Sequence, residues 1–260
     1  EYNPSTNTWT QRTNFGGGVR HDAVGFSIED KGYIGTGIGW WTGTHYHDFW
    51  EYNPSTNTWT QKADLSGGAR WSAVGFSIGS KGYIGTGIGS GTYYHDFWEY
   101  NPSTNTWTQK ADFGGGPRRG AVGFGWEGGG CGYIGTGEYG EYFKDFWEYR
   151  VSTNTWVQRE NFGGVARYRA VGFNIFGIGY VGTGYNGSYL RDFWEYNPST
   201  NTWTQKADLS GGARWSAVGF SIGSKGYIGT GIGSSTYHHD FWEYNPSTNT
   251  WTQRTNFGGG

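Results

Sequence analysis

Short stretches of alternating bulky and small residues recur along the chain, separated by turn formers. In residues 70–78 the bulky Val74, Phe76 and Ile78 alternate with Ala73, Gly75 and Ser77. A period of two puts the two sets on opposite faces of a strand. Three further stretches follow at 81–87, 96–102 and 105–110, and the four strands are designated a, b, c and d. Between them lie Gly residues and the run Asn-Pro-Ser-Thr-Asn, whose side chains favour tight bends. No stretch sustains a 3.6-residue period, which predicts a chain essentially without helix.

The pattern is tandemly repeated. The phrase Asp-Phe-Trp-Glu-Tyr-Asn-Pro-Ser-Thr-Asn-Thr-Trp returns with little change, and cutting after each Phe-Trp gives units 1–50, 51–98, 99–147, 148–194 and 195–242. A partial unit, 243–260, repeats residues 1–18 letter for letter. Four antiparallel strands in a period near 48 predict one all-β domain over 1–260, a β-propeller of four-stranded antiparallel blades. Stacked blades bury both faces of each sheet, which suits the bulky-versus-small alternation of strand a. Tyr83, Trp98 and Trp107 are expected to fill the wider outer gaps, with Trp59, Trp107, Trp156 and Trp203 buried between blades. An open solenoid is the runner-up, but it leaves terminal sheet faces bare.

Strand counting exposes a mismatch. Residues 1–12 supply a c–d pair, and five complete sets follow through about residue 254. Five complete blades are favoured; in a ring of six the N-terminal pair is half a blade. The duplicated ends, 1–18 and 243–260, are expected to mediate self-association, since an unpaired strand edge is a template for pairing.

Composition narrows the functional classes. Gly is 50 of 260 residues, aromatics are 20%, charged residues only 15%, and Met is absent. That excludes a helical bundle and an ordinary α/β enzyme. Gly falls in no three-residue period, which excludes collagen. A net charge of -2 supplies no basic footprint for nucleic acid and no polybasic membrane patch. No apolar run reaches the ~18 residues of a membrane span. The lone Cys131 permits no internal disulfide, and an opening at Glu1 without Met or signal peptide reads as a mature form or a fragment.

The run Arg-x-x-Ala-Val-Gly-Phe…Gly-Tyr-Ile-Gly-Thr-Gly…Asp-Phe-Trp-Glu-Tyr-Asn-Pro-Ser-Thr-Asn-Thr-Trp resembles the kelch repeat over the entire chain. The spacing of Tyr83, Tyr100 and Trp107 carries the likeness; Gly-Thr-Gly at 85–87 departs from the commoner Gly-Gly. The resemblance implies a propeller, typically of six or seven blades. It implies little about activity, because kelch propellers serve as enzymes, lectin-like binders and protein-interaction modules. Similarity to repeats of secreted bacterial proteins implies an extracellular or cell-surface location.

Comparing the units with one another points to one face. Units 51–98 and 195–242 differ only at Gly91 against Ser235 and Tyr94 against His238, both between strands b and c. In an antiparallel meander the b–c and d–a connectors share a face, and the b–c connectors carry most of the length variation. They contribute Trp40, Trp41, His45, His47, Tyr93, Tyr94, Tyr139, Tyr142, Tyr185, Tyr189, Tyr237 and His238. The residue after a constant Arg adds Trp71, Tyr168 and Trp215, and changes to His21 and Arg119 in the other units. Rings of this kind give rigid amphipathic contact area at low entropic cost. Arg20, Arg70, Arg118, Arg167 and Arg214 recur at one position and are expected as a ring near the axis. There they either meet carboxylates or sugar acids or, as their identity in every unit favours, bond loop carbonyls and acids of neighbouring blades. Asp48, Asp96, Asp145, Asp192 and Asp240 are expected to anchor turns.

Other chemistry is not supported. His45, His47, His238 and His239 lack the convergent set a metal site requires, so no metal or other cofactor is expected. The kelch-like copper oxidases need a Cys joined to a Tyr beside histidines, whereas Cys131 falls in an a–b connector on the opposite face. The repeated Gly-Thr-Gly-Ile-Gly opens no helix and is no dinucleotide site, and the similarity to kelch sialic-acid mutarotases is at repeat level alone. Asn186-Gly187-Ser188 is the one glycosylation sequon. The sequence is therefore read as a non-enzymatic recognition or scaffold propeller that binds a glycan or protein through the aromatic b–c face. A structural subunit of an extracellular array is the alternative, and a sugar-modifying enzyme the least supported reading.

Overall fold

A computed structural model of the chain describes residues 1–258. Five four-stranded antiparallel sheets succeed one another, each pairing in the order a, b, c, d. Blade one comprises Val24–Ile28, Lys31–Gly35, Phe49–Asn53 and Thr58–Lys62. Blade two comprises Val74–Ile78, Lys81–Gly85, Phe97–Asn101 and Thr106–Gln109. Blade three runs from Val122–Trp126 through Cys131–Gly135 and Phe146–Arg150 to Thr155–Gln158. Blades four and five begin at Val171–Ile175 and Val218–Ile222 and end at Thr202–Lys206 and Thr250–Arg254. The molecule is a β-propeller with five complete blades. A separate hairpin, Tyr2–Asn3 with Thr8–Trp9, packs on blade five. Among the described residues helix is confined to one 3-10 turn, Glu127–Gly129, in the lengthened a–b connector of blade three.

The core lies between blades. Val74, Phe76 and Ile78 of blade two pack with Ile134 and Tyr149 of blade three, and the equivalent sets repeat around the ring. Each buried aliphatic or aromatic side chain contributes about 1.5–3 kcal/mol. The small residues of strands a and b are the matching surface. A Cβ placed on Gly82 would lie 2.5 Å from Phe26 Cε2, and one on Gly75 would lie 2.7 Å from Val24 Cβ.

At larger radius, Tyr100 and Trp107 stack edge-on against Phe49 of the preceding blade at 4.8 and 5.0 Å. The strand-d tryptophans are half-buried rather than buried as expected, because each indole keeps one edge at the rim. Its N–H donates to the connector of the preceding blade: Trp107 Nε1 to Ala63 O and Trp156 Nε1 to Ala111 O.

The constancy of Asn-Pro-Ser-Thr-Asn has a physical cause. Asn105, with a left-handed φ of 54°, accepts through Oδ1 from the Tyr100 hydroxyl and from the Ala63 N–H, both at 2.9 Å. It thereby ties the c–d turn to its neighbour as well as closing it. Where Arg150-Val151 replace Asn-Pro, Asn154 keeps both of these bonds, and Arg150 Nε donates to Glu148 at 2.7 Å. Cys131 is the first residue of strand b, not a connector residue; it is buried, with Sγ 3.5 Å from the Tyr133 hydroxyl.

Candidate functional site

The face bearing the b–c and d–a connectors is built on the five recurrent arginines. Each guanidinium is buried and spent on its own blade. Arg70 donates to Asp96 Oδ1 and Oδ2 at 2.5 and 2.8 Å, to Thr86 O at 3.1 Å, and to Gly67 O. Arg20, Arg118, Arg167 and Arg214 pair in the same way with Asp48, Asp145, Asp192 and Asp240. A ring lies over the guanidinium in several blades: Tyr46 over Arg20 at 3.9 Å, Tyr94 over Arg70 at 4.1 Å, Phe143 over Arg118 at 4.3 Å. The five arginines, entertained as ligand residues, are thus scaffold, because no guanidinium faces solvent. The acid is on the same blade rather than on a neighbour. Tyr94 belongs to this packing too, and His238 occupies the equivalent position. Burial, and then the Arg214 charge, push the His238 imidazole below its ordinary range.

The next residue of each blade stands above this layer. Trp71 and Ile88 exchange backbone hydrogen bonds of 2.9 and 3.0 Å, and Arg119 with Glu138, Tyr168 with Tyr185 and Trp215 with Ile232 repeat the pairing. One residue further on, a chain of backbone bonds links blade to blade nearest the axis: Ser72 N to Asp22 O, Gly120 N to Ser72 O, Arg169 N to Gly120 O and Ser216 N to Arg169 O. Arg169 is the one long cation at a position otherwise held by Asp22, Ser72, Gly120 and Ser216. Its guanidinium lies across the axial mouth, 2.8 Å from Asp22 Oδ2 and 3.0 Å from Ser216 Oγ, 5.0 Å from the centre of Trp215.

A continuous aromatic cluster surrounds it. Tyr142 stacks on Tyr168 at 5.4 Å with planes 13° apart, Tyr168 meets Trp215 at 5.5 Å, and Trp215 meets Tyr185 at 5.4 Å. Tyr189 closes on Tyr185 at 5.3 Å. On the other side Arg119 sits over Trp71 at 5.1 Å and bonds Glu138 at 2.8 Å. Burial raises the Tyr168 phenol above its ordinary range, so the ring stays neutral. Between Arg119, Glu138, Tyr142 and Tyr168 lies a cleft of about 300 Å3.

The remaining candidates are outliers of this cluster. Tyr93 joins through Arg119, 5.7 Å from its ring centre, and carries Tyr139 with it at 4.8 Å; Trp40 meets His21 at 5.0 Å. Trp41 and Tyr237 project freely, 89% and 76% exposed. His45 accepts from Ser90 N at 3.1 Å, and His47 lies 3.9 Å from Asp64 at the outer rim. The sequon Asn186 is in the blade-four b–c connector, its Oδ1 accepting from Ser188 N. Sequence reasoning missed Arg169, Arg119 and Glu138 as site residues. The signal for Arg169 was present, as a long cation where other units carry small residues or Asp.

A second cavity, about 650 Å3, opens on the opposite face. It is lined by strand a of every blade, including Phe26, Phe76, Phe124, Phe173 and Phe220.

Comparison with known proteins agrees with this geometry. Residues 38–66 and 180–210 match the kelch motif. The solved structure of YjhT superposes with a TM-score of 0.80 over 95% of this chain and 88% of that one, at 17% identity, a likeness of fold. No curated protein sequence matches the chain. The fold is a β-propeller with an aromatic-rimmed axial mouth. Two segments of the chain carry the kelch motif, and its repeats are similar to those of the kelch family.

Proposed function

We propose that this propeller is a non-enzymatic recognition module, acting at the cell surface or outside the cell, whose b–c face binds a protein partner. One observation carries the reading. Of the exposed large hydrophobic side chains, Val19, Trp40, Trp41, Tyr139, Tyr142, Val165 and Tyr237 stand on the face of the b–c and d–a connectors; Phe176 stands on the other, and Val218, Ile222 and Phe257 lie between blades five and one. Clustered exposed rings on one face are the usual mark of an interaction site. Kelch propellers generally act through protein partners, which supports the same assignment. The side chains at the mouth are rings and paired cations, suited to contact rather than to proton transfer.

A second reading is supported by the axial mouth itself. Arg119 and Arg169 set among Trp71, Tyr168 and Trp215 offer stacking and charge-assisted bonds together, the combination that suits an acidic sugar.

Selection from a displayed protein library, in parallel with an acidic-glycan array, tests both. Binders are expected to lose at least about thirtyfold affinity when Trp41, Tyr139, Tyr142 and Tyr237 are replaced together by Ala, with an unchanged Tm. Protein binders that ignore the quadruple variant would count against the b–c rim, and acidic glycans that survive Arg169→Met would count against the axial mouth.

A further inference from the structure

Between blade five and blade one the ring is filled at its periphery and open toward the axis. The N-terminal hairpin occupies the outer part. Tyr2 and Trp9 meet Phe241 of blade five at 4.8 and 5.0 Å, the distances at which Tyr100 and Trp107 meet Phe49. Trp9 Nε1 donates to Thr255 O, and Thr255 N to Asn7 Oδ1, repeating the bonds of Trp107 and Asn105 to Ala63. Residues 1–12 therefore hold the position of a c–d pair.

Nothing holds the matching a–b position among the described residues. Val218 and Ile222 are 56% and 36% exposed, whereas the equivalent Val74 and Ile78 are 4% and 6%. On the facing blade a Cβ placed on Gly25 would meet only Tyr33 O, at 3.8 Å, while at the equivalent Gly75 it would strike Val24. The backbone chain around the axis runs from Asp22 to Ser216 with no closing link among the described residues. The result is an apolar slot of about 460 Å3, lined by Tyr2, Trp9, Val218, Phe220, Phe241 and Phe257.

Both walls specify what fits. The blade-five wall projects Val218, Phe220 and Ile222 and requires a glycine face; the blade-one wall is flat at Gly25 and Gly32 and requires Val, Phe and Ile. Strands a and b of this repeat present those two faces back to back. The entry is also fixed. Phe257 N bonds His239 O at 3.0 Å, as Leu65 N bonds His47 O and Phe113 N bonds His95 O, and in those blades the backbone then leads into strand a. Phe257 is 44% exposed where Leu65 and Phe113 are 1% and 2%.

We propose that this slot is a docking site for an a–b hairpin of the type of residues 69–98, joined to the chain on the Phe257 side and ending against Glu1. In repeat register Gly260 corresponds to Gly68 and Glu1 to Glu99, so such a segment completes a sixth blade with residues 1–12.

The test is a chain extended after Gly260 by a copy of residues 69–98. A control extension carries Gly75→Val and Gly82→Val in the copy, which spoils the glycine face alone. The first extension is expected to remain monomeric by light scattering, to resist protease throughout, and to raise Tm by about 5 °C or more. The control is expected to be trimmed back to the 260-residue chain with no gain in Tm. The proposal is overturned if both extensions behave alike, or if the 260-residue chain forms a dimer that the first extension does not dissociate.

Discussion

Arg169 Nη2 lies 2.8 Å from Asp22 Oδ2, so a side chain of blade four reaches across the axial mouth to the first blade. The pair bridges elements that lack a direct link through the missing blade position, and it holds the Arg169 guanidinium against the indole of Trp215. Removing Arg169 takes the guanidinium from a largely buried carboxylate and leaves it the neighbouring His21 imidazole, 2.9 Å away. Arg169→Met is expected to cost about 1–3 kcal/mol in denaturant unfolding, and Asp22→Asn somewhat less. The double variant should cost less than the sum of the two, because the interaction is lost only once. Additive losses would mean that the two residues are independent.

The buried arginines should behave differently. Each makes two bonds to a carboxylate and further bonds to carbonyls, a planar fork that an ammonium does not reproduce. Arg70→Lys is therefore expected to be nearly as damaging as Arg70→Met, each costing about 3–5 kcal/mol by stranding Asp96 in a partly buried site. Chemical denaturation reads the outcome. A fully tolerated lysine would show that only the charge matters.

The blade repeat was legible in the sequence because its period-two alternation and its turn asparagines have local causes. The alternation at 74–78 predicted strand a and its two faces, and Asn105 marked a turn that only a few residue types close. The arginines were ambiguous in sequence. A constant Arg reads equally as a binding ring or as an internal strut, and only the orientation of Arg70 toward Asp96 decides it. The axial cluster was half visible. Trp71, Tyr168 and Trp215 stood out by type, but their convergence with Arg169 depends on the small rotation from blade to blade, which no linear pattern records. The empty slot could be counted from strands, yet which strands remain unpaired depends on whether residues 1–12 pack in cis.

Acid should weaken the ring through the same ion pairs. Burial pushes the Asp48, Asp192 and Asp240 carboxyls up, but the paired arginines and the indole N–H groups of Trp50, Trp194 and Trp242 outweigh it and hold them below the ordinary range. Glu148 and Glu243 are lowered likewise, burial being outweighed by bonds from Arg150 and Arg159 and from Arg254 and Tyr227. A carboxyl whose folded pKa is depressed contributes stability above its unfolded value, about 3.9 for Asp and 4.3 for Glu. That contribution is lost as the pH falls toward the folded value. Tm is expected to be flat from pH 7 to about 5 and to fall steeply below about 4. Asp192→Asn should lower Tm at pH 7 and shallow the acid slope. An unchanged slope would separate these carboxylates from the acid transition.

Equivalent glycines should respond unequally according to whether a blade faces them. Gly82 and Gly32 hold the same place in strand b of blades two and one, and neither has a positive φ. An added Cβ at Gly82 would lie 2.5 Å from Phe26, while at Gly32 it would meet only the Tyr52 side chain, at 3.7 Å and beyond. Gly82→Ala is therefore expected to cost about 1–3 kcal/mol through overpacking. Gly32→Ala should be neutral or stabilise by about 0.4–1 kcal/mol through reduced freedom of the unfolded chain. Urea unfolding of the two variants side by side measures the asymmetry. In the chain extended by residues 69–98 the difference should vanish, because the incoming Phe side chain then presses on Gly32 as Phe26 presses on Gly82. If Gly32→Ala is already costly in the 260-residue chain, the blade-one wall is covered in solution and the slot is not open.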